Sequence, residues 1–235
     1  MPRGQPHETR RLLLTVYRRL RARYGHAGWW PGESSFEVCV GAILVQNTAW
    51  ANVERTLETL RARALLSFEA LDRLSASRLA PLLRSSGTFR VKARRLRAFL
   101  DFLGAEYGGR VEGMRAEYPP VLRRKLLAVP GIGPETADSI ALYAAEHPVF
   151  VVDAYTRRVL SRLGILGGDR AVQARPSSPG GYDQLQRYLM ERLPRDAALY
   201  NDYHAQLVRL GKEACRTRPR CTECPLEGLC PKCGL

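Results

Sequence analysis

The chain has 235 residues, 45% hydrophobic and 26% charged, a balance that excludes a disordered chain and leaves room for one large domain or two small ones. A formal charge of +14 and an isoelectric point near 10 point to a polyanionic partner, and only four of the 37 basic residues are lysines (Lys92, Lys125, Lys212 and Lys232). No apolar run approaches the roughly 20 residues of a membrane span, and the N-terminal MPRGQPHETRR lacks the apolar segment of a secretion signal, so a cytoplasmic, nucleoid-associated protein is expected.

Residues 9–24, TRRLLLTVYRRLRARY, place Leu12, Leu13, Val16, Tyr17 and Leu20 at helical spacing with arginines around the other face, which predicts an amphipathic helix. GHAGWWPGESS follows as a loop, and its adjacent Trp29 and Trp30 read either as packing residues or as the lining of a pocket. Phe36–Val45 is nearly all apolar and predicts a buried central helix. It ends at Gln46-Asn47-Thr48, polar residues that break it and can cap the next helix, Trp50–Ala64. Phe68–Leu83 reads as two short helices broken near Ser75, Val91–Tyr107 as a basic helix, and Gly108–Pro120 as a loop. No convincing strand, repeat or low-complexity tract appears, so the expected fold is all-α.

Val121–Ala128 and a helix opened by Pro134 flank the turn Pro130-Gly131-Ile132-Gly133-Pro134. Gly131 and Gly133 let the chain reverse within a few residues and leave amide N–H groups uncovered, a concavity suited to a phosphate. Beyond His147-Pro148, Val149–Val152 buries itself and delivers one carboxylate, Asp153, twenty positions after Gly133. Asp153 also suits the N-cap of the helix that follows through Leu163. A loop rich in Gly, Pro and Ser, Gly164 to Gly181, leads to two more helices, Tyr182–Leu193 and Ala197–Gly211.

Five of the six cysteines lie within Cys215–Cys233, a clustering that in a reducing compartment indicates metal rather than disulfides. Cys215, Cys221, Cys224 and Cys230, with five, two and five residues between them, suit a [4Fe–4S] cluster or a four-cysteine zinc site. Cys221, Cys224, Cys230 and Cys233 form a second plausible set. Arg216, Arg218 and Arg220 occupy the first inter-cysteine loop, where a metal-held scaffold would present them to phosphates. Cys39, alone in an apolar helix, reads as core.

The stretch VPGIGPETADSIALYAAEHPVFVVDAYTRRVLSRLGI resembles the helix-hairpin-helix and Gly-Pro-Asp region of the endonuclease III superfamily of DNA glycosylases, and the resemblance runs from about Trp29 to the C-terminal cysteines. It implies two lobes: a six-helix bundle over residues 28–137, and a second lobe of residues 1–27 with 138–235 carrying a C-terminal [4Fe–4S] cluster. Double-stranded DNA with a damaged base would lie across the cleft between them, bound by a monomer. The family's cysteine spacing is six, two and five, so this chain is one residue shorter in the first loop; the family order favours Cys215, Cys221, Cys224 and Cys230.

By the same resemblance, Gln46 matches the residue that enters the duplex where the target nucleotide leaves it, and Asp153 the aspartate that stabilises positive charge on the sugar. Members that also cut the strand carry a lysine where this chain has Glu135; a carboxylate forms no imine, so a monofunctional base-excision glycosylase is expected. WWPGESSFE, VGAILVQNTAW and PGIGPETADS look most like the 3-methyladenine DNA glycosylase III branch. There an aromatic at the place of Trp50 stacks on the flipped base, and Glu135 matches the branch's acid. Trp29, Trp30 and Lys212 join Trp50 as pocket candidates, with Tyr155 and His204 behind them. The alternatives are an endonuclease III-like lyase for oxidised pyrimidines using another amine such as Lys212, and a lesion-binding protein without catalysis.

Overall fold

The computed structural model describes residues 6–167 and 181–234, and most of the expected loop between Gly164 and Gly181 lies outside them. The α-helices among the described residues are α1 (Pro6–Tyr24), α2 (Ser35–Leu44), α3 (Trp50–Ala62), α4 (Phe68–Asp72), α5 (Ala76–Leu82), α6 (Phe89–Tyr107), α7 (Glu112–Ala116), α8 (Pro119–Ala128), α9 (Pro134–Ser139), α10 (Ala154–Arg162), α11 (Gly181–Met190) and α12 (Ala197–Glu213). No strand occurs among the described residues, and no described helix is long and apolar enough to cross a membrane. The all-α fold expected from the sequence is the one found.

The chain divides into two compact units, Trp30–His147 and Met1–Trp29 with Pro148–Leu235. The first boundary falls two residues, and the second ten residues, beyond the expected 27/28 and 137/138. The later second boundary has a physical reason. The helix opened by Pro134 does not stop at Ser139 but widens into a π-helical turn, Ile140–Ala144, whose five residues are all buried and pack on α2. His147 then closes the segment, its ring Nε2 2.9 Å from the Met114 carbonyl.

Within the 30–147 unit, α2 is the central element, buried from Glu37 to Leu44 and packed by α3, α6 and α9. Ser34 starts it by accepting the Glu37 N–H at 3.2 Å, and Ser67 and Ser75 cap α4 and α5 in the same way. The expected Thr48 cap is not made. Ala49 is the N-cap of α3 without a side-chain bond, and the Thr48 hydroxyl instead accepts from Asn52 Nδ2 at 2.9 Å. The stretch expected as a loop before α8 contains α7, a single turn anchored by buried Met114 and too short to display a helical period. Two buried carboxylates here are paired: Arg61 bonds Glu37 at 2.7 Å, and Arg123 bonds both oxygens of Asp138, at 2.8 and 3.3 Å.

The hairpin turn between α8 and α9 uses its two glycines differently. Gly131 has φ +87°, and a Cβ there would lie 2.4 Å from Arg95 Cγ, so both backbone and space require glycine. Gly133, the N-cap of α9, has an ordinary φ of −91° and nothing within 4 Å of where a Cβ would stand. Buried Ile132 pins the turn, its N–H bonded to the Val129 carbonyl at 3.1 Å.

In the other unit, α1 and α10 pack on α12, and the N-terminal helix is held by one buried carboxylate. Asp202 accepts from Tyr17 Oη at 2.7 Å, from the Ala27 N–H at 2.9 Å and from Arg21 at 3.2 Å. Burial alone would raise its pKa, but the Ala27 amide foremost, then Tyr17 and Gln206, hold it below the usual carboxylate value. Leu13, Val16 and Leu20 are fully buried, the face the sequence predicted, while its arginines stay outside.

Two tests follow from this packing. Lys92 on α6 is buried and donates to the Ser86 carbonyl; burial first, and the Arg95 charge second, push its ammonium down to about 8. Unfolded Lys92 then binds more protons than folded Lys92 between about pH 8 and about 10.5, so its contribution to stability rises with pH across that window. Urea titrations at pH 7 and pH 10 are expected to show wild type gaining on the order of 2 kcal/mol relative to Lys92→Met. Separately, Gly131→Ala is expected to cost about 1–3 kcal/mol by urea denaturation, while Gly133→Ala stays within about 0.5 kcal/mol.

Candidate functional site

Gln46 lies just past the end of α2, and both hydrogens of its side-chain amide are engaged. Nε2 donates to the Gly131 carbonyl at 3.1 Å and to Thr136 Oγ1 at 2.9 Å, while Oε1 accepts from Arg95 Nη1. The residue is thus tied to the hairpin turn, to α9 and to α6 together. Its neighbour Asn47 adopts φ +54°, the left-handed conformation that turns the chain out of α2. Arg95 and Thr136 were not singled out by the sequence, because each is far from Gln46 along the chain. Glu135 is exposed in the first turn of α9, in the same unit.

Trp30, Trp50 and Tyr143 form an aromatic group in this unit. Trp30 meets Trp50 edge-on and Tyr143 at a tilt, with ring centroids 5.2 Å apart in both pairs. Trp50 Nε1 donates to Glu54 at 2.6 Å. Gly41 on α2 makes room for Trp30, since a Cβ there would come within 3.1 Å of the indole nitrogen. Tyr143 went unnoticed in the sequence because the π turn that presents it breaks the helical period. Trp29, although adjacent to Trp30 in sequence, belongs to the other unit, where its ring lies 5.8 Å from the Lys212 ammonium. The four expected pocket residues therefore form two pairs, Trp30 with Trp50 and Trp29 with Lys212.

Asp153 ends the buried, irregular segment Val149–Val152 and starts α10. The segment is fixed by Gln186, whose Nε2 donates to the Phe150 carbonyl at 2.8 Å. Asp153 Oδ1 accepts the Thr156 N–H at 2.7 Å as the helix N-cap. Oδ2 lies 3.7 Å from His204 Nε2, too long for a hydrogen bond. Burial lowers the His204 pKa, with the Asp153 charge acting in the opposite sense, so the ring is held towards its neutral form. Tyr155 sits against Gly211 on α12, where a Cβ would come within 2.3 Å of its ring. Arg158 completes the join of α10 to α12, bonding the carbonyls of Cys215 at 2.7 Å and Gly211 at 2.9 Å.

Cys215, Cys221, Cys224 and Cys230 line one cavity together with Arg162, and Cys233 is exposed outside it. Burial, and then the charges of the neighbouring thiolates, raise the pKa of Cys224 and of Cys230. Arg162 Nη1 donates to Cys215 Sγ at 3.2 Å, and its carbonyl accepts from Cys230 Sγ at 3.2 Å. Among the described residues, no three Cys, His, Asp or Glu side chains converge closely enough to hold a single metal ion. Arg216, Arg218 and Arg220 are all exposed on this loop; Arg216 Nε turns back to the Lys212 carbonyl at 2.7 Å, and Arg220 lies 3.7 Å from Glu223.

Comparison with known proteins gives this arrangement a family. A family profile described as HhH-GPD superfamily base excision DNA repair protein matches residues 40–177. A protein of Methanocaldococcus jannaschii named as a DNA repair glycosylase is 38% identical over 220 residues, spanning 93% of this chain and 96% of its own length. Endonuclease III of Bacillus subtilis is 28% identical over 205 residues, with 84% of this chain and 81% of the relative covered. The crystal structure of the H. pylori 3-methyladenine DNA glycosylase bound to 1,N6-ethenoadenine superposes with a TM-score of 0.70 at 26% identity, over 89% of this chain and 98% of that one. The chain belongs to the HhH-GPD superfamily of base excision DNA repair proteins and is a DNA N-glycosylase.

Proposed function

We propose that the protein binds double-stranded DNA, flips an N-alkylated purine such as 3-methyladenine out of the stack and hydrolyses its glycosidic bond without cutting the strand. The observation that carries this reading is Glu135, a carboxylate exposed in the first turn after the hairpin, where the strand-cutting members carry their amine. Gly131 and Gly133 with the first turn of α9 bind a backbone phosphate, Gln46 enters the duplex, and Arg216, Arg218 and Arg220 add phosphate contacts.

The chemistry needs little acid. A purine alkylated at ring nitrogen is already cationic and a good leaving group, and aromatic faces attract a cation by roughly 0.5–2 kcal/mol. Trp50 is the stacking partner, held by its Glu54 bond and braced edge-on by Trp30. As the base leaves, positive charge grows on the sugar. Asp153 opposes it, its geometry fixed by the Thr156 cap, and orients the attacking water. His204, held towards neutral by burial, does not cancel that charge. A carboxylate about 4 Å from the developing cation contributes on the order of 4 kcal/mol at an effective dielectric constant near 20, or about a thousandfold in rate.

The four cysteines that line one cavity suit a [4Fe–4S] cluster. Cys215, Cys221, Cys224 and Cys230 would hold the cluster. Its contribution is to cross-link a tail poor in apolar side chains, and Arg162 would stabilise the negative charge on Cys215.

Single-turnover release of free base from methylated duplex is expected for wild type, with Asp153→Asn slower by about a thousandfold. Loss of no more than a few-fold would remove Asp153 from the chemistry. Borohydride added during the reaction is expected to trap little or no covalent protein–DNA adduct. Trapping in good yield would instead favour a lyase using Lys212 or another amine.

A further inference from the structure

We propose that Arg95 has two partners, Gln46 in the free protein and a DNA backbone phosphate in the complex, and that the exchange releases Gln46 into the duplex. The inference rests on reading Gln46 as the residue that enters the DNA. In the free protein that residue has no donor left to offer a base. Both amide hydrogens are directed at protein acceptors, the Gly131 carbonyl and Thr136 Oγ1, and the amide oxygen accepts from Arg95. Insertion requires all three bonds to be given up, so something in the complex must compensate for them.

Arg95 is the member of this set with a better alternative. A guanidinium bonded to a neutral amide oxygen makes a weaker contact than the same group bonded to an anion, where the bond is roughly twice as strong. Its position allows the exchange. The aliphatic stem lies against Gly131, so close that a Cβ on that residue would come within 2.4 Å of Cγ, and the side chain is only partly buried. The guanidinium is therefore beside the turn that grips DNA rather than beneath it. Lys92, on the same helix, adds a reason for Arg95 to find an anion: the two cations repel, and the Arg95 charge helps push the Lys92 ammonium down. A phosphate bound to Arg95 relieves that repulsion. Glycine at position 131 thus serves a second purpose besides its backbone angle, since a larger residue would force the Arg95 stem away from Gln46.

The consequence is an order of events. Gln46 stays parked against the hairpin in solution, and contact with the DNA backbone frees it before any base is examined.

The test uses undamaged duplex and needs no base release, so it stands or falls separately from the glycosylase reading. Binding is measured by fluorescence anisotropy over a series of salt concentrations for wild type, Arg95→Met and Arg95→Lys. The slope of log K against log salt is expected to fall by about one in Arg95→Met and to be retained in Arg95→Lys. In parallel, the Gln46 side-chain amide is followed by nitrogen-15 NMR, identified by its disappearance in Gln46→Ala, and is expected to shift when duplex is added to wild type. An unchanged slope in Arg95→Met overturns the proposal, as does a Gln46 amide that does not move on binding. The wild-type amide signal decides the matter even where the methionine variant does not fold.

Discussion

One hydrogen bond fixes the carboxylate on which the proposed chemistry rests, the 2.7 Å contact from the Thr156 amide to Asp153. An aspartate placed at the start of a helix has its side-chain torsion chosen for it, because one oxygen must reach back to an otherwise unpaired N–H. The other oxygen then points in a direction fixed by the backbone rather than by a flexible side chain. Everything around it preserves that arrangement. Val149–Val152 is sealed in the core, Gln186 holds the Phe150 carbonyl, and Arg158 ties α10 to the end of α12. Capping and the proposed catalytic role are compatible uses of one carboxylate because they need different oxygens.

Polar groups rather than apolar contacts decide where the chain's distant parts meet. Asp202 holds the N-terminal helix and the Ala27 amide across more than 170 residues of sequence. Gln46 joins three elements through one amide, and Arg162 gathers both ends of the cysteine loop, bonding Cys215 with its guanidinium and accepting from Cys230 and Cys233 with its carbonyl. Directional bonds of this kind fix the side chains they engage, among them Asp153, Gln46 and Cys215.

Much of this was legible in the residues. The buried face of α1, the apolar run of α2, the two-glycine turn and the spacing of the cysteines each carry a local signal, and each appears where the pattern put it. What escaped is non-local or too short. α7 is a single turn resting on Met114, and the Thr48 hydroxyl had two available partners, of which it took Asn52. Arg95, Thr136 and Tyr143 matter through contacts with residues dozens of positions away, which no period records. The adjacent tryptophans mislead for a related reason: neighbours in sequence are assigned to different units when the boundary falls between them.

The widened turn at Ile140–Ala144 has a consequence for how such chains can diverge. A π turn accommodates one more residue than the α-helical path between the same end points. A relative lacking that extra residue could keep both ends of the segment in place only by rotating the intervening side chains around the axis. Tyr143 would then lose its face against Trp30, while Ala137 before the turn and His147 after it stayed where they are. A single-residue deletion here would therefore repack the buried face that this turn lays on α2, Tyr143 included.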